Sequence, residues 1–241
     1  MQLSRTDLKT YSSLNRKSKR IEHGLFIAEG AKVCQELLSS NFVVEQVFCT
    51  EENSTIFSDS TLISNKDAER ISNQKNHSGI LAIAKIPDTN QIPLDETNDI
   101  IILENINDPG NLGTIIRTLD WFGFSQVICS ENSVDTFNPK TIMASMGSVF
   151  RIQPHYLNIP TFLSQTKTES YGTYMNGQSV FKTQFNNPSI IIFGNESHGI
   201  SAEVGEKINN KISIPGKGKA ESLNLSNSSS IIISELYNKR N

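Results

Sequence analysis

The sequence predicts an α/β protein: a parallel sheet with crossover helices in its C-terminal half, preceded by a smaller α/β unit. Three observations carry that reading. Asp99-Ile100-Ile101-Ile102-Leu103 and Ser189-Ile190-Ile191-Ile192-Phe193 are short continuous apolar runs, typical of strands buried on both faces of a parallel sheet. Leu112, Ile115, Ile116, Leu119 and Phe122 form a helical stripe between them. Residues 86–98 hold two prolines among mostly polar positions and show neither period, which marks a linker. The expected division is therefore 1–85, a linker at 86–98, and 99–241.

In chain order, residues 4–20 read as a basic helix and Leu25–Ala28 as a strand. Glu29-Gly30 breaks that strand, and Ala31–Leu38 has helical spacing through Val33, Leu37 and Leu38. Val43–Cys49 and Gly79–Ala84 read as strands. After the linker, strand 99–103 runs into the striped helix. Val127–Cys129 is a strand, Lys140–Met146 a helix, Thr161–Thr166 a helix, Ser189–Phe193 and Lys211–Ile214 strands, and Ser222–Asn238 the last helix. Such sheets bind ligands beyond the C-terminal ends of their strands, so chemistry is expected in the second unit.

Composition narrows the class. A chain of 241 residues, 37% hydrophobic, can bury roughly 70–75% of its unfolded surface without staples. Cys34, Cys49 and Cys129 are odd in number and far apart, so they make no disulfide framework, and no histidine stands at zinc spacing from them. No apolar run approaches the ~18 residues of a membrane span, and the N-terminus lacks a signal-peptide core. A cytoplasmic protein with no membrane or metal partner is expected. Residues 1–20 carry Arg5, Lys9, Arg16, Lys17, Lys19 and Arg20 against Asp7, a net +5 on a chain of net −3. This asymmetry fits a local anionic partner, or a solvated helix face.

The usual nucleotide and hydrolase signatures are missing: no GxGxxG follows a strand, and there is no GxxxxGK[ST], HExxH or GxSxG. Three loops remain. In the first, Glu104-Asn105-Ile106-Asn107-Asp108-Pro109-Gly110-Asn111-Leu112-Gly113, Asn111 stands where a helix cap is wanted, as a cap or as a ligand-facing amide. Gly113 costs up to ~1 kcal/mol in a helix, so something must approach closely there. Arg117 lies off the apolar stripe. The second loop, Gly194-Asn195-Glu196-Ser197-His198-Gly199, sets a carboxylate between glycines at a strand end, which fits presented backbone amides or a solvated turn. In the third, Ser222 and Asn224 straddle Leu223, as a ligand-lining loop or as ordinary caps.

Taken together, these loops resemble the three motifs of the SpoU/TrmH family of RNA ribose 2′-O-methyltransferases, in the SPOUT superfamily, over residues 99–238. Residues 15–38, with His-Gly-Leu-Phe-Ile-Ala-Glu-Gly-Ala-Lys-Val, are also similar to the RNA-binding domain that precedes the catalytic domain in many members. The resemblance implies a deep trefoil knot, S-adenosylmethionine as cofactor and a homodimer with sites at its interface. It further implies that Gly194, Ile214 and Leu223 line the cofactor pocket. Asn111, Arg117, Glu196, Ser222 and Asn224 would then surround the ribose hydroxyl and its phosphate, with Arg117 central. Arg5, Lys9, Arg16, Lys17, Lys19 and Arg20 would meet RNA phosphates. Ribosomal RNA of the large subunit (23S rRNA) is expected, ahead of transfer RNA. A non-catalytic RNA-binding or ribosome-assembly protein and a nucleobase methyltransferase are the competing readings. Two departures from the family pattern stand out: Gly216 replaces a usual methionine, and Asn227-Ser228-Ser229-Ser230 replace small apolar residues.

Overall fold

Ten strands divide between two sheets in the computed structural model of the chain, which describes residues 3–87 and 94–241. Strands β1 (Leu25–Glu29), β2 (Val44–Cys49), β3 (Thr61–Leu62) and β4 (Ile80–Lys85) pair in the order β1-β4-β2-β3. Strands β5 (Ile100–Leu103), β6 (Gln126–Ser130), β7 (His155–Leu157), β8 (Ser170–Ser179), β9 (Ile190–Phe193) and β10 (Asn210–Ser213) form a second sheet, ordered β10-β8-β9-β5-β6-β7. Every pairing in that second sheet is parallel. The helices are α1 (Arg5–Ser13), α2 (Lys17–His23), α3 (Ala31–Leu38), α4 (Asn65–Ile71), α5 (Pro109–Phe122), α6 (Pro139–Ser145), α7 (Ile159–Gln165), α8 (Ala202–Gly205) and α9 (Leu225–Asn238).

The all-apolar strands β5 and β9 are buried along their whole length and lie side by side at the centre of the parallel sheet. From β5 the sheet grows towards β6 on one side and towards β9 on the other. Loops leaving such a switch point diverge and open a crevice at the strand ends. Helix α5 packs closely on α6 because Gly113 has no side chain. A Cβ there would sit 2.4 Å from the Thr141 carbonyl oxygen and 2.7 Å from the Ala144 Cβ. The close approach expected at Gly113 is that of a neighbouring helix.

The two sheets share a hydrophobic core. Phe26 of β1 stacks on Phe137 at 4.8 Å between ring centres, and Phe42 meets Phe150 edge-on at 5.4 Å. Of the segment expected as a linker, 86–98, residues 88–93 lie outside the described ones. Ile86 and Leu94 on either side both pack against core clusters.

The basic stretch 4–20 is two helices rather than one. Leu14 is fully buried, and Arg16 is extended at φ −94°, ψ 129°. Arg20 turns back to close the break, donating to the carbonyls of Leu14 (2.8 Å) and Asn15 (3.0 Å). The last helix starts at Leu225 rather than Ser222. Its serines are accommodated by back-bonding, since Ser229 Oγ donates to the Leu225 carbonyl at 2.7 Å and Ser230 Oγ to that of Ser226 at 2.8 Å.

Arg20 also corrects an expectation. Its side chain is 2% exposed and donates to both oxygens of Asp135, at 2.7 Å and 3.3 Å. It is a buried tie between α2 and the loop before α6, not a free cation for phosphate. Arg20→Ala would strand Asp135 and is expected to cost roughly 2–4 kcal/mol of unfolding free energy in urea titrations. Arg16→Ala, at an exposed position, should stay within about 0.5 kcal/mol of the parent.

Candidate active site

Three chain segments converge beyond β5 and β9. The first leaves β5 through Glu104 and Asn105, the latter in the left-handed region at φ 53°, which asparagine tolerates. Asp108 is the cap of α5, its Oδ1 accepting from the Asn111 N–H at 2.8 Å, with Pro109 in the first turn. Asn111 is therefore not the cap. Its main chain is satisfied by Asp108, and its side-chain amide is left to point out of the first turn.

The second segment leaves β9 through Gly194, where the chain folds back on itself. A Cβ at Gly194 would stand 2.2 Å from the Gly199 carbonyl carbon, so only glycine fits. Asn195 and Gly199 exchange two backbone hydrogen bonds, at 3.0 and 2.9 Å. The Asn195 side chain completes the hairpin: its Oδ1 accepts from the Ser197 N–H at 2.9 Å, and its Nδ2 donates to the Asn105 carbonyl at 2.7 Å. Buried Glu104 holds the far end by accepting from the Ser201 N–H at 3.0 Å. Sequence reasoning did not single out Asn195 or Glu104 as positioning groups, although both stand in the loops it selected.

The third segment is the start of α9, whose cap Asn224 accepts from the Ser226 N–H at 2.9 Å through Oδ1. Its Nδ2 donates to Asn111 Oδ1 at 3.2 Å, while Asn111 Nδ2 donates to Glu196 Oε1 at 3.1 Å. Since an ionised carboxylate only accepts, the Glu196 contact fixes which way the Asn111 amide faces. Asn111, Glu196 and Asn224 thus form one connected polar frame drawn from three distant stretches of sequence.

The other expected site residues stand around this frame or away from it. Gly194 is buried, Ile214 is partly buried against the core, and Leu223 is 49% exposed. Ser222 is exposed and makes no side-chain hydrogen bond among the described residues. Arg117 is also exposed and is not joined to the frame. It lies six residues beyond Asn111, about 240° further round the helix. It lines a cleft with Lys32, Trp121, Ser145 and Met146, on the side of α5 that faces α3 and α6. Among the expected RNA contacts, Arg5, Lys9, Arg16 and Lys17 are exposed, Lys19 pairs with Glu22, and Arg20 is buried.

The thiols are not candidates for covalent chemistry. All three cysteines are buried, and burial pushes Cys34 up to about 12 and Cys129 higher still. Among the described residues no three or more His, Cys, Asp or Glu cluster as a metal site, and no helix is long and apolar enough to cross a membrane.

Comparison with known proteins places these features in a family. Residues 98–234 match the SpoU rRNA methylase family, and residues 5–82 match the MRM3-like substrate-binding domain. A Bacillus subtilis protein named 23S rRNA (guanosine(2553)-2′-O)-methyltransferase RlmP is 28% identical over 238 residues, covering 95% of each chain. A solved structure described as an RNA methyltransferase of the TrmH family, from Porphyromonas gingivalis, is 31% identical with a TM-score of 0.84 over 98% of both chains. A Sinorhizobium meliloti rRNA methyltransferase crystallised with AdoMet is 26% identical with a TM-score of 0.83, covering 98% of this chain and 96% of its own.

The hairpin after β9 depends on the Asn195 side chain, so Asn195→Ala should speed amide exchange at Ser197 and His198 by at least about tenfold. Exchange in β5 and β9 should not change. Hydrogen-exchange mass spectrometry resolves the two regions.

Proposed function

Because the chain belongs to the SpoU rRNA methylase family, we propose that it transfers the methyl group of S-adenosylmethionine to a ribose 2′-hydroxyl of 23S rRNA in the cytoplasm. The observation that carries the reading is the Asn111–Glu196–Asn224 frame, inside the stretch that matches the family. Relatives named as rRNA methyltransferases favour ribosomal over transfer RNA.

The residues present fit an adenosyl group. From 215 to 223 the main chain makes no hydrogen bond to another described residue, leaving donors and acceptors free for a purine edge. Ile214 and Leu223 supply apolar surface at the two ends of that stretch. The cofactor supplies an electrophilic methyl on a sulfonium. Gly194, Ile214 and Leu223 are assigned to its pocket. The trefoil knot belongs to the same proposal, with the chain between β10 and α9 as its threaded part.

Methyl transfer to a hydroxyl is an in-line displacement, so positioning supplies much of the rate. Asn111 and Asn224 are held by each other and by Glu196, which pre-orients amide groups towards a ribose and spares reorganisation as charge develops. Glu196 and Ser222 are assigned to orient the 2′-hydroxyl and accept or relay its proton. Arg117, remote from the frame, is assigned to an RNA phosphate, because a guanidinium gives up a proton only at high cost and so makes a poor base. A second copy of the chain is assigned to the groove between α5 and α9, where Phe122 packs on Tyr237 at 5.2 Å and half-exposed Phe181 lies alongside.

The test is methyl transfer from labelled S-adenosylmethionine to 23S rRNA and to total tRNA from a strain lacking the gene, with digestion to nucleosides. Label in 2′-O-methylribose from 23S rRNA alone is expected. Label in tRNA alone supports the tRNA reading, and no label with no cofactor binding contradicts an enzyme. Arg117→Ala should raise KM for RNA more than it lowers kcat, and the basic limb of the Arg117→Lys pH–rate profile should coincide with that of the parent. A moved limb would identify Arg117 as the group that takes the proton. Replacing both Arg16 and Lys17 by Ala should flatten the slope of log affinity against log salt, by roughly 0.7–0.9 for each phosphate that is no longer neutralised.

A further inference from the structure

Trp121 is the only tryptophan in the chain, and it is 83% exposed. A side chain of that size turned to water on a rigid helix is unusual, because aromatic groups contribute most when buried. It stands one helical turn beyond Arg117, and the two line the same cleft between α5, α3 and the end of α6, together with Lys32 and Arg151.

The charges in that cleft divide into used and unused. Arg151 is spent on Asp120 and Glu36, with contacts of 2.6 and 2.5 Å. Burial raises Asp120, but hydrogen bonds from Arg151 and Ser148 outweigh it and hold the carboxyl below its usual range. One guanidinium thus serves two carboxylates, and with Lys32 and Arg117 the charged groups lining the cleft sum to a net +1. Lys32 and Arg117 are exposed and make no ion pair among the described residues. The cleft therefore offers two free cations beside one flat aromatic face. Aromatic rings flanked by cations are how proteins hold unstacked nucleotides, the ring stacking on the base and the cations meeting the backbone.

We propose that Trp121 is a stacking platform for a base of the RNA substrate, flanking the modified nucleotide, with Lys32 and Arg117 on the adjoining phosphates. The inference rests on the RNA-methyltransferase reading above. Trp121 is ten residues from Asn111, about 15 Å along the helix, so the base it holds is a neighbour of the reacting nucleotide rather than the nucleotide itself. The side of α5 matters here. Phe122 faces α9, where a second copy is assigned, whereas Trp121 faces the cationic cleft on the α3 side.

As the sole tryptophan, Trp121 reports on itself. Titrating the protein with an in vitro transcript of 23S rRNA should quench its emission, whereas heparin, a polyanion without bases, should leave it nearly unchanged. Trp121→Ala should raise KM for the transcript by roughly tenfold or more with kcat within about twofold, and Trp121→Phe should recover part of the loss. Unchanged emission on a transcript that is still methylated overturns the stacking role and leaves the enzyme reading intact. Equal quenching by heparin reduces the site to simple charge attraction and also overturns it. A change in oligomeric state for Trp121→Ala, seen by light scattering, would assign the residue to a protein interface instead. Absence of both binding and methyl transfer would remove the RNA reading itself, and this inference with it.

Discussion

The side-chain amide of Asn111 donates to Glu196 and accepts from Asn224, and the rest of the site is arranged so that this can happen. A primary amide has a distinct donor end and acceptor end, so it can join a carboxylate to a second amide in only one orientation. That one group locks together a strand-end loop, a helix start and the return of the C-terminal chain. A frame of this kind orients its amides before any substrate arrives, which is the arrangement that the proposed methyl transfer would draw on.

The fold meets the demands of that contact by removing freedom around it. Asp108 takes the Asn111 main chain so that its side chain need not cap the helix. The chain crossing at Gly194 leaves no room for a Cβ, and Asn195 ties the resulting hairpin to Asn105 across the sheet. Gly113 lets α5 lie against α6 close enough for the first turn to be set rigidly. Further off, Arg20 and Arg151 fasten the N-terminal unit to the loops and helices behind the site. A domain expected to grip RNA is thus coupled by buried and bridged charges to the elements that carry the frame.

Much of this was legible in the sequence, and the reasons differ by element. β5 and β9 could be read because fully buried parallel strands are continuous apolar runs. The stripe on α5 could be read because that helix buries one face. β8 could not: Gly172, Asn176, Gly177, Gln178 and Ser179 have poor strand propensity. Its pairing with β10 works because Gly177 has no side chain, whereas a Cβ there would come within 2.7 Å of the Lys211 carbonyl oxygen. Helix α4 escaped notice, although Ser64 caps it through the Asp67 N–H and that spacing is a start signal. The basic segment misled for a physical reason. Charge can be counted from sequence but burial cannot, so Arg20 was grouped with solvent-facing neighbours. The motifs singled out Asn111, Glu196 and Asn224, which the fold brings together. Their mutual hydrogen bonds, and the separation of Arg117 from them, are properties of three-dimensional convergence that no spacing encodes.

Whether the frame acts as a unit is tested most directly by a double-mutant cycle on methyl transfer. Single-turnover rates would be measured with saturating cofactor and 23S rRNA for Asn111→Ala, Asn224→Ala and the double variant, with folding checked by circular dichroism. If the two amides work through each other, either single substitution removes most of what the pair contributes. The double variant should then be little slower than the worse single one, a coupling of at least about 1 kcal/mol. Effects that add within about 0.3 kcal/mol would mean that the two residues act independently, and would contradict the frame as the organising feature of the site.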